Sequence, residues 1–253
     1  MVTIELYDLG HQVYQPVWEL QTAIQQRLVK QKRARRNQTL YKPGTEDNDI
    51  LLFVEHPHVY TLGKSGESTH LLKSLAELSD LDAEYIKIDR GGDITYHGPG
   101  QIVGYPILDL DRHFTDIHKY LRYLEEIIIR TCADFNIEAG HINGLTGVWV
   151  GDEKICAMGI RCSRWVTMHG FAFNVNTDLN YFDHIVPCGI EDKAVTSLQN
   201  ILGRRVDETE VKNHLVKHFQ NVFEVNITTG DSLHELDNEF SYLKKSINKA
   251  VPQ

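Results

Sequence analysis

A glycine-dense segment constrains this chain more than any other feature, and it runs from residue 90 to residue 101. It reads Arg-Gly-Gly-Asp-Ile-Thr-Tyr-His-Gly-Pro-Gly-Gln, with apolar runs before it, at residues 85–88, and after it, at residues 102–107. Glycine is used where the backbone adopts a positive φ or approaches another group closely. The pattern predicts two strands joined by a polar loop. Because a hairpin turn needs only about two to five residues, we expect this longer loop to form one wall of a ligand pocket.

Composition and charge restrict the class of protein. The chain has 253 residues, of which 42% are hydrophobic and 24% charged, as in a globular domain. It has no apolar run long enough to span a membrane and no signal-peptide pattern at its start, so we expect a cytoplasmic protein. The net charge of −9 argues against nucleic-acid and membrane partners. The four cysteines form no Cys-x-x-Cys pair, so we predict neither a metal site nor disulfides, and no cofactor.

Hydrophobic periodicity predicts one mixed α/β domain over residues 1–225, followed by a helical tail over residues 226–253. We expect three helices with recognisable starts. One begins near Pro16, one is capped by Thr115, and one opens with a capping box at Asp207. The basic residues 30–36 end the first of these helices. They indicate a solvated helix end or, as the sharper alternative, a docking patch for an acidic protein.

Cys188 is the strongest candidate nucleophile, because it lies between Pro187 and Gly189 with no helical or strand periodicity around it. A free thiol is mostly protonated at neutral pH, so catalysis requires a base or a positive neighbour. The candidate partners are three histidines and one lysine: His97, His169, His184 and Lys154. Residue type alone favours a histidine, and sequence spacing does not decide the choice.

Four blocks in this order resemble the lipoyl(octanoyl) transferase family. They are the glycine-dense segment, then Lys154-Ile155-x-Ala157-x-Gly159-x-Arg161, then His169-Gly170-x-Ala172-x-Asn174-Val175, then Pro187-Cys188-Gly189. Together they cover about residues 50 to 200, and Thr196-Ser197-Leu198 also fits. Four ordered blocks make the resemblance specific.

The resemblance implies an α+β fold similar to biotin and lipoate protein ligases, a mixed sheet with helices packed against one side. It implies transfer of an octanoyl group from octanoyl-acyl carrier protein to a lysine of lipoyl domains, in 2-oxoacid dehydrogenase acyltransferase subunits and in the glycine cleavage H protein. In such enzymes the cysteine that matches Cys188 carries the acyl group as a thioester, and the lysine that matches Lys154 tunes it. The implied substrate-binding residues are Arg90, Gly91, Gly92, Asp93, Ile94, Thr95, Tyr96, His97, Ala157, Met158, Gly159, Gly170, Phe171 and Ala172.

Two details refine these expectations. Small residues at Gly159, Gly170 and Ala172 predict room for the octanoyl chain. Cys156 stands where the family more usually has alanine. Strand alternation would place it on the same face as Lys154, at the edge of the site, but we favour the alternative that it simply replaces the alanine.

Three rival functions remain. An ATP-dependent lipoate or biotin protein ligase on the same fold would make Cys188 incidental. A non-catalytic carrier-binding module would keep the fold without the chemistry. A cysteine protease is the weakest rival, since no residue is evidently placed to orient a histidine.

Overall fold

Two β-sheets form the frame of the protein, which is described here from a computed structural model at residues 1–36, 48–186 and 194–230. The large sheet has seven strands: β1 (Thr3–His11), β2 (Asp49–Glu55), β6 (Gln101–Ile107), β7 (Val148–Val150), β8 (Glu153–Ser163), β9 (Val166–Asn174) and β10 (Asn226–Thr229). The small sheet has three: β3 (Val59–Leu62), β4 (Glu84–Lys87) and β5 (Ile94–His97). The helices are α1 (Tyr14–Arg36), α2 (Leu75–Asp80), α3 (Ile117–Asp134), α4 (Leu198–Leu202) and α5 (Glu208–Phe223). No helix among these residues is both long and apolar enough to cross a membrane.

The large sheet is mixed, with the strand order β10-β1-β2-β6-β9-β8-β7. Strand β1 pairs in parallel with β10 and with β2, and the pairs from β2 through β6, β9 and β8 to β7 are antiparallel. In the small sheet, β3 pairs in parallel with β4 and antiparallel with β5. The predicted mixed α/β architecture is confirmed.

Helices cover both faces of the large sheet, so the expectation that they pack against one side is wrong. On one face, α1 packs its apolar stripe, which includes Val17, Leu20 and Ile24, against β6 and β9. On the other face, α3 and α5 pack against each other and close the larger apolar core. The reason is visible in β2, whose residues 50–54 are all buried. A strand buried on both faces reads as a continuous apolar run, because each alternate side chain needs its own apolar layer.

The helix starts follow local capping chemistry. Helix α1 begins at Tyr14, with Pro16 in its first turn. The cap of α3 is Asp116 rather than the predicted Thr115, because the Asp116 carboxylate accepts from the backbone N–H groups of His118 and Lys119. Asp207 does cap α5, since its side chain accepts from the Thr209 backbone N–H, but this is a simple cap and not the predicted capping box, which would engage Glu210.

The glycine-dense segment is not a single loop between two strands of one sheet. It contains β5, which pairs with β3 in the small sheet, whereas the following strand, β6, lies in the large sheet. The segment therefore crosses from one sheet to the other. This crossing is what places polar side chains between the two sheets.

The basic end of α1 is in part structural. Lys32 is buried, and its Nζ lies 2.7 Å from Oδ1 of Asp109, while Nη2 of Arg35 lies 3.0 Å from Oδ2 of the same carboxylate. These two cations attach α1 to the turn that follows β6. Lys32 and Arg35 therefore do not belong to a solvated patch, although Lys30 and Arg33 are exposed.

The end of the catalytic domain also differs from the prediction. Residues Asn226–Thr229 form β10, which pairs with β1 at the edge of the large sheet. The expectation of a helical tail that begins at residue 226 is therefore wrong for these residues. Residues 231–253, with the apolar repeat that predicts a helix, lie outside the described residues.

Candidate active site

A cavity of about 430 Å³ lies where the small sheet meets the large one. Its walls come from the glycine-dense segment, from the middle of β8 and β9, from β6 and from Tyr14 at the start of α1. The cavity brings together these sequence-predicted residues: Arg90, Gly91, Gly92, Asp93, Ile94, Thr95, His97, Lys154, Ala157, Met158, Gly159, Gly170, Phe171 and Ala172. Three separate blocks of the chain therefore meet around one space. Their roles in binding remain predictions.

One of the described site residues, Tyr96, is not part of this wall. Tyr96 is fully buried in the small sheet, where its hydroxyl lies 2.7 Å from Nδ1 of His58 and its ring stacks near Tyr181. It supports the segment from behind, so the expectation that Tyr96 contacts the substrate is wrong for this cavity. Cys188 lies outside the described residues.

Hydrogen bonds hold the start of the glycine-dense segment against both sheets. Nη2 of Arg90 donates to the backbone oxygen of Thr61 at 2.7 Å and to its Oγ1 at 3.1 Å. The backbone N–H of Gly91 donates to the oxygen of Ile160 on β8 at 2.9 Å. Gly92 has a φ of 88°, a conformation that favours glycine. The segment is thus a rigid wall rather than a free loop.

The glycines of β8 and β9 allow close approach of backbones, which differs from the expected role of leaving space for an acyl chain. A Cβ on Gly159 would lie 3.0 Å from both Cδ of Arg90 and the oxygen of Gly91. A Cβ on Gly170 would lie 2.2 Å from the oxygen of Gly104. Gly159 therefore lets the Arg90 segment lie against β8, and Gly170 lets β9 lie against β6.

His97 is held in one tautomer at the cavity wall. Its Nδ1 lies 2.8 Å from Oε1 of Gln101, and Nε2 of Gln101 donates to Oδ1 of Asn174 at 2.9 Å. Since an amide oxygen only accepts, His97 donates from Nδ1 and keeps Nε2 as an acceptor. Burial lowers the pKa of His97 to about 3, so the ring is neutral at pH 7. Asn174 also donates to the oxygen of Thr196, which links this network to the chain beyond residue 193.

His169 lies on the opposite wall and is oriented by a charge pair that the sequence analysis missed. Its Nε2 donates to Oδ1 of Asp89 at 3.1 Å, and the guanidinium of Arg161 binds the same carboxylate. The hydrogen bond from His169, with the charge of Arg161, lowers the pKa of Asp89, and burial lowers the pKa of His169. The φ of His169 is 61°, an uncommon value for a residue other than glycine. Asp89 directly precedes the glycine-dense segment, and that adjacency was the available signal.

Lys154 is positioned next to the chain that follows Cys188. Its backbone N–H donates to the oxygen of Ala194 at 2.9 Å, and its own oxygen accepts from the N–H of Thr196 at 3.0 Å. Its Nζ lies 4.7 Å from the centre of the Trp149 ring, a cation–π contact. These bonds anchor residues 194–196 at the cavity wall.

Cys156 does not border the cavity. It is fully buried in the core beneath α3, and burial raises the pKa of its thiol well above the ordinary value. Val148 pairs with Cys156, whereas the adjacent Trp149 pairs with Lys154, so the register shifts and β8 carries an irregularity at Ile155. The extra residue breaks the alternation from which a shared face was predicted. Cys156 therefore acts as a small apolar core residue.

Solved structures with a similar fold are lipoate protein ligases. A bipartite lipoate protein ligase of Thermoplasma acidophilum superposes with a TM-score of 0.68 at 16% identity, covering 95% of this chain and 92% of the other. Lipoate-protein ligase A with bound ATP gives a TM-score of 0.64 at 17% identity, covering 94% and 93%. Residues 18–220 match the lipoyl protein ligase A/B catalytic domain family. The fold and the cavity thus define a catalytic domain of the lipoyl protein ligase class.

Relatives with curated names identify the family within this class. A protein of Cytophaga hutchinsonii named octanoyltransferase is 57% identical over 226 residues, covering 87% of this chain and 92% of the relative. An octanoyltransferase of Flavobacterium johnsoniae is 56% identical over 230 residues, covering 88% and 98%. The chain belongs to the lipoyl(octanoyl) transferase family, and it is an acyltransferase.

Proposed function

We propose that the protein transfers an octanoyl group from octanoyl-acyl carrier protein to the lysine of a lipoyl domain, through a thioester on Cys188. The acceptors are lipoyl domains of 2-oxoacid dehydrogenase acyltransferase subunits and the glycine cleavage H protein. The reaction is the first step of endogenous protein lipoylation, and it takes place in the cytoplasm.

The single observation that carries the proposal is the cavity that joins Lys154 to an apolar space between the sheets. Apart from Lys154 and the Arg90 segment, the wall includes Val103, Met158 and Phe171. Six buried methylenes of an octanoyl chain would contribute roughly 5 kcal/mol at about 0.8 kcal/mol each. Such a site favours a medium-length acyl chain over a short polar one.

The chemistry consists of two acyl transfers. In the first, the Cys188 thiolate attacks the thioester carbonyl of the donor, a new C–S bond forms, the C–S bond to the carrier breaks, and the carrier thiolate takes a proton from the Lys154 ammonium. In the second, the lysine amine of the acceptor attacks the new thioester, a C–N bond forms, and the Cys188 sulfur leaves. Exchange of one thioester for another is nearly balanced in free energy, and the thioester-to-amide step is downhill, so ATP is not required.

Lys154 is proposed to manage the protons of both steps. Its ammonium stabilises the Cys188 thiolate, and its amine takes the proton that the acceptor lysine loses. The support is positional: the backbone of Lys154 pairs with residues 194 and 196, six and eight residues after Cys188. The neutral rings of His97 and His169 add no positive charge to the wall, so among the described residues that line it Arg90 and Lys154 are the basic ones.

The proposal is tested by intact mass spectrometry after mixing the purified protein with octanoyl-acyl carrier protein without ATP. We expect one octanoyl adduct that hydroxylamine removes and that Cys188→Ala lacks. Cys162→Ala is the matched control, because Cys162 is exposed and lies away from the cavity wall, and it should keep the adduct. An adduct that survives in Cys188→Ala would refute the thioester, and acyl transfer only with ATP would make the protein a ligase.

The role of Lys154 is tested by Lys154→Ala in single-turnover acylation. We expect the acylation rate to fall by about a hundredfold or more, in the range of general acid–base catalysis. The urea midpoint should change much less than the rate, because the backbone hydrogen bonds of Lys154 to Ala194 and Thr196 remain in the variant. An unchanged acylation rate would remove Lys154 from the mechanism.

A further inference from the structure

A cluster of two histidines and one aspartate lies where α3 and α5 meet. His214 and His218 stand one helical turn apart on α5, so their side chains share one face. Asp134 is the last residue of α3 and faces both rings. The potential ligand atoms of the three residues lie within 4.8 Å of one another. None of the three is among the residues that line the cavity in the described part of the chain.

The contacts converge on one oxygen atom. Nδ1 of His214 lies 2.5 Å and Nε2 of His218 lies 2.7 Å from Oδ2 of Asp134. Nζ of Lys217 lies 3.5 Å from the same oxygen, although the Lys217 side chain is 56% exposed and can move away. Two imidazole nitrogens and a carboxylate oxygen therefore lie close enough together to bind one ion. Hydrogen bonds alone explain these distances only if both rings donate to a single acceptor atom.

The environment of His218 does not fix the tautomer that carries its proton on Nε2. The residue is buried, and its Nδ1 has no hydrogen-bond partner among the described residues. Moving the proton from Nε2 to Nδ1 would therefore break no bond at Nδ1, and it would leave Nε2 with a lone pair directed at the cluster. His218 can therefore present Nε2 to a cation.

We propose that Asp134, His214 and His218 form a divalent metal site that takes zinc. Two imidazoles and one carboxylate are a donor set suited to zinc, which is usually four-coordinate, and water would complete the coordination. The ligands come from two helices that pack on the same face of the large sheet, so a bound ion clamps the end of α3 to α5. The site would stabilise the domain and take no part in acyl transfer.

Zinc titration of the full chain, free of any added histidine tag, tests the proposal by isothermal calorimetry. The wild-type protein should bind one zinc ion, and His214→Ala should weaken that binding by at least about tenfold, since changes even to groups that merely support metal ligands reach this range. His214 is suited to substitution because its side chain is 27% exposed. His118→Ala is the control, because His118 is an exposed histidine in the first turn of α3, at the opposite end from Asp134, and it should bind zinc like the wild type.

Asp134→Asn provides a second variant with nearly the same shape. It should weaken zinc binding and should also abolish the rise in melting temperature that zinc gives the wild-type protein. If His214→Ala and Asp134→Asn bind zinc as tightly as the wild type, the ion is held elsewhere, and the proposal is overturned. Absence of zinc binding by the wild-type protein overturns it as well.

Discussion

Replacing Gly159 by alanine tests whether the Arg90 segment must lie directly against strand β8. The added Cβ would lie 3.0 Å from Cδ of Arg90 and 3.0 Å from the oxygen of Gly91. Such contacts are too close, so the segment must move outward. The hydrogen bond from the Gly91 N–H to the oxygen of Ile160, 2.9 Å long, would lengthen or break.

The expected magnitude combines two terms. Overpacking costs about 1–3 kcal/mol, and a lost backbone hydrogen bond contributes about 1 kcal/mol of that range when the freed groups reach water. Part of the strain is relieved when the Arg90 segment moves, so it does not all appear as a loss of folding stability. We therefore expect the free energy of unfolding to fall by about 1–2 kcal/mol and kcat/KM for the octanoyl donor to fall by roughly tenfold.

The assays are urea denaturation and single-turnover acylation by octanoyl-acyl carrier protein. Gly140→Ala is the matched control, because a Cβ on Gly140 meets no atom within 4 Å and its φ is not positive. That variant should stay within about 0.5 kcal/mol of the wild type and should acylate at the wild-type rate. A Gly159→Ala protein with wild-type stability and wild-type kinetics would refute the tight docking of the segment on β8.

Three further predictions follow from the site. Asp89→Asn removes the charge that orients His169, so kcat/KM for acyl transfer should fall. The free energy of unfolding should drop by about 1 kcal/mol at most, since Asp89 is partly exposed; an unchanged kcat/KM would contradict the orienting role. Burial lowers the pKa of His97 to about 3 and that of His56 to about 4. Below about pH 6.5 these histidines are therefore protonated in the unfolded chain but still neutral in the folded protein. Each should reduce the free energy of unfolding by roughly 2 kcal/mol between pH 7 and pH 5. In urea titrations, the free energy of unfolding of His56→Gln should therefore depend less steeply on pH than that of the wild type. An identical dependence would show that the pKa of His56 is not lowered in the folded protein. A hexanoyl donor should acylate the protein about 15-fold less efficiently than an octanoyl donor, because two methylenes contribute about 1.6 kcal/mol; equal kcat/KM values would show that the chain does not bind in the cavity.

Much of the site was predictable because its residues lie in short ordered blocks. The glycine-dense segment, the Lys154 block and the His169 block each carry polar residues beside glycine, and the structure brings all three to one cavity. Local patterns also gave the buried strand β2 and the Asp207 cap, because both depend on interactions within a few residues.

Two of the errors arise from contacts between distant parts of the chain, and a third from a local irregularity. Lys32 belongs to a basic run in sequence, but it pairs with Asp109, which lies 77 residues away. Cys156 was assigned to the wrong face because an irregularity in β8 cannot be read from alternation alone. Residues Asn226–Thr229 include three β-branched side chains, but the run is short, and it becomes a strand by pairing with β1.

The roles given to the glycines show the same limit. Gly159 and Gly170 were expected to leave space for the acyl chain, whereas each allows another part of the backbone to approach. Sequence indicates that a glycine is needed at such a position. Only the fold shows which atom would meet its Cβ.

The central claim is that the octanoyl group passes from Cys188 to a lysine without ATP, and a single-turnover chase tests it most directly. The octanoylated protein is isolated from free donor and mixed with a lipoyl domain in the absence of ATP, and both masses are followed with time. We expect the octanoyl group to leave the protein and to appear on the lipoyl domain at the same rate, as an amide that hydroxylamine does not remove. An octanoylated protein that keeps its acyl group in the presence of the domain, with acylation of the domain only after ATP is added, would contradict the account.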